Sequence, residues 1–135
     1  MPAGPLPLGL AYFGAVKLAG YTAAGYRLRR TCPGSKVHPI TFGAARTVLG
    51  LIAGVGVAAL ASRFDFRDSD VAFYFALAPV RMAEWLFILW LFYARAGMNR
   101  DRRVNYAILG SLWSYCLDLP AVLAVFVVPG GAWIC

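Results

Sequence analysis

"VRMAEWLFILWLFYAR" (residues 80–95) is apolar enough to lie in lipid, yet two opposite charges, Arg81 and Glu84, stand near its start. Residues three apart share one face of a helix. Intramembrane charges turn toward a bundle interior rather than toward hydrocarbon. The stretch therefore predicts a membrane-embedded helix whose charged face meets other helices.

The rest of the chain fits that reading. Of its 135 residues, 61% are hydrophobic and 14% charged, against roughly 45–50% and about 25% in ordinary soluble domains. Four apolar runs, about 6–26, 40–62, 71–94 and 105–128, each approach the ~20 residues that cross the hydrocarbon core. In lipid every backbone N–H must be paired within its own segment, which selects helices. The runs are also longer than the about 9–11 residues of a barrel strand. The expected fold is an all-α integral membrane protein, a single antiparallel bundle of four transmembrane helices with short loops. The N-terminus lacks the basic region of a cleaved signal peptide, so the first run is expected to be a retained helix.

The net charge of +7 sits in short clusters between apolar runs. It does not form the basic face on a water-soluble body that nucleic-acid binding needs. The first loop, "RLRRTCPGSKVH", carries Arg27, Arg29, Arg30 and Lys36, and the third, "RAGMNRDRR", carries Arg95, Arg100, Arg102 and Arg103. The second, "SRFDFRDSD", carries only Arg63 and Arg67. This bias predicts loops one and three in the cytoplasm and both termini outside, on the pattern of a bacterial inner membrane. The same charges can attract anionic lipid headgroups.

Cys32, Cys116 and Cys135 form no C-x-x-C pair, and His38 is the only histidine. No metal site, bis-histidine haem or other cofactor is expected. In the second run, Gly43, Thr47, Gly50, Gly54 and Ala58 recur at helical spacing. This small-residue face allows close backbone approach, either inside the bundle or against a second copy or membrane partner. Pro79 and Pro120 lie inside runs three and four, each beside a charge. Each removes a helix hydrogen bond. The acceptable N-caps of "DSD" (68–70) favour a third helix that begins near Val71 and passes through Pro79.

Depth follows from a rise of 1.5 Å per residue. Lys17, Arg81 and Asp118 each fall roughly 15–16 Å below the outer ends of their helices. Glu84 lies one turn deeper, near the level of Arg46, about 9 Å in from the other side. Ser111, Ser114, Tyr115 and Asp118 form one stripe, and Trp85 extends the face of Glu84. Each ionisable group left alone at a helix centre costs about 2.5–3.5 kcal/mol, so pairing inside the bundle is expected. Lys17, Arg46 and Arg81 outnumber Glu84 and Asp118 by one.

The expected function is binding or transport of a small anionic or amphipathic ligand, coupled to protons if Glu84 or Asp118 exchanges one. The candidate residues are Lys17, Arg46, Arg81, Glu84, Trp85, Ser114, Tyr115 and Asp118. Two alternatives stay open: a membrane enzyme acting on a lipid or isoprenoid, and an accessory subunit of a larger complex. The acidic residue that small multidrug transporters carry in their first helix is replaced here by Lys17. The second run also lacks the Glu-Arg-x-x-x-Asn pattern of membrane glutathione transferases.

Overall fold

The computed structural model describes residues 7–61 and 70–124. They form four α-helices: α1 (Pro7–Thr31), α2 (Pro39–Ala61), α3 (Asp70–Tyr93) and α4 (Arg100–Ala124). No strand occurs among the described residues. Leu6, the second loop with Arg63 and Arg67, residues 125–128 of the fourth run and Cys135 lie outside them.

Two helix ends differ from the sequence expectation. α1 continues to Thr31, so Arg27, Arg29 and Arg30 lie on the helix rather than in a loop. α4 begins at Arg100 and takes in Arg102 and Arg103. Hydropathy marks where apolar character ends, but arginine is a good helix former and helices run on past it. Basic side chains in the last turn of α1 also complement the negative end of its dipole. The Thr31 hydroxyl donates to the carbonyls of Arg27 and Leu28, both at 3.1 Å, and Pro33 and Gly34 then stop the helix. α2 opens with proline at its first position, where the missing N–H costs nothing. The His38 carbonyl accepts from Phe42 N at 3.1 Å.

Between α3 and α4 a short 3-10 turn, Ala94–Ala96, ends at Gly97, whose φ of 80° is left-handed. That conformation is cheap only for glycine. Asn99 then opens α4, its Oδ1 accepting from Arg100 N at 2.7 Å. As expected, α3 runs through Pro79 and α4 through Pro120.

The helices form a ring. α1 packs most extensively on α2 and α3 on α4, while α2–α3 and α1–α4 contacts close it. Neighbours are antiparallel. Tyr21 meets Ser114 one turn along from where Lys17 meets Asp118, and Arg46 meets Glu84 while Phe42, earlier on α2, meets Tyr93, later on α3. Small residues set the α1–α2 approach. A Cβ on Gly43 would collide with Thr22, 2.8 Å from its backbone nitrogen, and one on Gly25 would lie 3.0 Å from the Pro39 carbonyl. Gly50 and Gly54, further along the same face, turn toward a cavity inside the bundle.

A hydrophobic core contains a charged stripe, and large apolar side chains also lie on the outside. Lys17, Arg46, Arg81 and Asp118 are buried. Val48, Ile52 and Val55 of α2, Phe87, Trp90 and Leu91 of α3, and Leu109, Leu112 and Leu119 of α4 are exposed. Among the described residues, one segment, Pro39–Val57, is by its own length and composition apolar enough to cross a membrane. The sequence reading expected four such spans. α1 and α4 are diluted by arginine-bearing ends and interior charge.

The glycines of α2 provide a test of the packing. Gly43→Ala is expected to lower unfolding stability by about 1–3 kcal/mol through overpacking against Thr22. Gly56→Ala, where nothing lies within 4 Å of the added methyl, should raise it by up to about 1 kcal/mol through helix propensity. Denaturant unfolding followed by circular dichroism measures both.

A buried charge cluster as candidate functional site

One stripe of each helix supplies the site. Lys17 and Tyr21 come from α1, Phe42 and Arg46 from α2, Arg81, Glu84 and Trp85 from α3, and Ser111, Ser114 and Asp118 from α4. The spacings of three, four and seven residues keep each set on one helix face. Antiparallel packing then brings the four faces together.

Asp118 is shared by two cations. Lys17 Nζ lies 2.6 Å from Oδ1, and Arg81 Nη2 pairs with Oδ2. A second ion pair joins Arg46 Nη2 to Glu84 Oε2 at 2.7 Å. The structure thus makes both of the groupings that depth suggested. Glu84, although on the same helix face as Arg81, pairs across to α2. Arg46 is 1% and Asp118 3% exposed, so both pairs are largely cut off from bulk solvent, with Glu84 the most accessible member.

Beside the charges lies a neutral knot centred on Ser114, which has no exposed surface. Its Oγ accepts from Trp85 Nε1 at 2.9 Å and Tyr21 OH at 3.1 Å. The same hydroxyl donates to the Gly110 carbonyl at 3.0 Å. One donor and two lone pairs are a hydroxyl's whole capacity. Gly110 is required here, because a Cβ would overlap the Trp85 indole.

Aromatic rings carry the remaining positive charge. The Arg46 guanidinium lies 4.9 Å from the Tyr21 ring centroid and 5.2 Å from that of Trp85. Arg81 lies 4.5 Å from the Tyr115 ring, and Lys17 Nζ 4.8 Å from that of Phe13. Such contacts strengthen when desolvated. Tyr21, Phe42, Trp85 and Tyr93 pack edge-on or tilted with centroids 5.9 Å apart, filling the bundle between the charges and its arginine-rich end.

A cavity of about 20 Å³ opens among Lys17, Arg46, Arg81, Glu84, Gly50 and Gly54. That is room for about one water molecule. Arg46 Nε, Arg46 Nη1 and Arg81 Nε are buried without a hydrogen-bond acceptor.

All eight residues expected from the sequence lie in or against this cluster. Tyr21, Phe42 and Phe13 were missed. The signal existed, since each stands four residues from a buried cation: Phe13 and Tyr21 from Lys17, and Phe42 from Arg46. No family model, curated protein or solved structure matches the chain.

Ser114→Ala would leave the Trp85 and Tyr21 donors buried and unpaired. The expected loss is about 2–4 kcal/mol of stability, at 1–3 per orphaned group. Asp118→Asn removes the shared counter-charge of two buried cations, and breaking a buried pair costs about 3–5 kcal/mol. Thermal unfolding of the purified protein measures both, with exposed Leu112→Ala as an indifferent control.

Proposed function

We propose that the chain is an integral membrane protein that crosses the bilayer four times and binds or transports a small inorganic anion at its buried charge cluster. The membrane reading is supported by the apolar exterior and charged interior. The bias of arginine toward the α1–α2 and α3–α4 ends supports a cytoplasmic location for that end in a plasma membrane.

One observation carries the anion reading. Among the described residues, three buried cations, Lys17, Arg46 and Arg81, meet two carboxylates, buried Asp118 and part-exposed Glu84, and all three cations line one small cavity. An anion placed there would balance the surplus charge and sit beside the Lys17, Arg46 and Arg81 side chains that line the cavity. The cavity size chooses within the ligand class. A pocket for an amphipath or a drug-sized molecule needs about 300–1,000 Å³, whereas this one suits a halide or an ion of similar size. Glu84 and Asp118 are the carboxylates of that layer, so any proton exchange linked to the anion runs through them. The enzymatic alternative is disfavoured at Ser114, whose hydroxyl is fully engaged and enclosed.

Halide binding and halide flux in proteoliposomes test the proposal. Arg46→Gln or Arg81→Gln should weaken anion affinity about tenfold or more, the loss of one charge-assisted hydrogen bond. Glu84→Gln keeps every cation and removes a competing carboxylate, so it should tighten binding. Equal affinity in all three variants would rule the site out.

A further inference from the structure

We propose that the groove between α3 and α4 at the arginine-rich end of the bundle is a binding site for one phospholipid with an anionic headgroup. The proposal rests on the membrane-spanning reading and is independent of the anion cluster.

The groove has a volume of about 480 Å³ and is lined by Leu86, Phe87 and Trp90 of α3 and by Arg100, Arg103 and Val104 of α4. Its two ends differ in chemistry. Phe87 and Trp90 are 49% and 55% exposed, their rings tilted against each other with centroids 6.3 Å apart. In a bilayer, such a paired aromatic wall lies against an acyl chain. Tryptophan this close to a basic helix end is also the residue type that anchors at the headgroup level.

Arg100 and Arg103 make the other end. Arg103 is held in place, because its Nη2 donates to the Met98 carbonyl at 3.3 Å. Arg103 is half-buried and lines the groove, so its guanidinium is held where it can meet a phosphate oxygen, and exposed Arg100 supplies a second charge. Guanidinium groups match phosphate geometry closely. A phosphate at this end with its chain along Phe87 and Trp90 satisfies both halves of the groove, which free phosphate or a neutral lipid cannot.

The test uses the full chain in phosphatidylcholine vesicles containing a minor fraction of phosphatidylglycerol with brominated acyl chains, which quench nearby tryptophan. Carbonate extraction of the expressing membranes comes first. A chain released by carbonate defeats the membrane reading itself, whereas a retained chain leaves the lipid site to be judged alone. Brominated phosphatidylglycerol is expected to quench more than brominated phosphatidylcholine, and Trp90→Phe should abolish the difference. Arg100→Gln and Arg103→Gln should each weaken the phosphatidylglycerol response about fivefold, as expected for one basic residue at an anionic surface. Arg27→Gln removes the same charge from α1, away from the groove, and should leave the response unchanged. Equal weakening by Arg27→Gln would reduce the effect to general surface charge and overturn the site. So would full reversal of the quenching by added inorganic phosphate.

Discussion

Asp118 ties three helices with one carboxylate. Its two oxygens hold Lys17 of α1 and Arg81 of α3, and it stands on α4. A buried triad of this kind adds little net stability by itself, but breaking it is costly: any arrangement that separates the three while they stay buried leaves a bare charge away from water. The helices can slide or rotate only as far as those contacts permit. The Arg46–Glu84 pair applies the same restraint to α2 and α3. Ring closure thus depends on charge as much as on packing.

The aromatic layer converts this restraint into a defined volume. Trp85 touches Tyr21 and Phe42, donates to Ser114 and lies beside Arg46. Its position requires Gly110 across from it. A small cavity lies beside Gly50 and Gly54, where side chains are small, while a groove of about 650 Å³ runs past Trp85 between α1 and α4. The small cavity is bounded by Lys17, Arg46, Arg81 and Glu84 on one side and by the small residues Gly50, Ala53 and Gly54 on another.

Much of this was legible in the sequence because depth in a helix is linear in residue number. Lys17, Arg81 and Asp118 could be assigned one level, and Arg46 and Glu84 another, without knowing any contact. Azimuth is harder. Only the packing shows that Glu84 turns toward Arg46 rather than pairing along its own helix with Arg81. The aromatic partners were hidden for a related reason: Phe and Tyr occur throughout these runs, so Tyr21 and Phe42 stand out only once Lys17 and Arg46 are known to face inward. Helix ends were misjudged where hydropathy and helix propensity part company, at Arg27–Arg30 and Arg100–Arg103. The Gly50–Gly54 spacing was compatible with a contact between copies, but its exposure to the cavity depends on a rotation of α2 that spacing does not determine.

The distance in sequence between partners has a consequence for biogenesis. Tyr21 and its acceptor Ser114 are 93 positions apart, and Lys17 and Asp118 lie one turn beyond them on either side. If the chain crosses a bilayer as proposed and is inserted as it is made, α1 would enter while α4 is still unsynthesised. Lys17 would then have no counter-charge, and Arg81 would wait in the same way. The first three helices would have to be sheltered, or held shallow with their charges toward the headgroups, until Asp118 emerged. Release into lipid would thereby be linked to completion of the last helix.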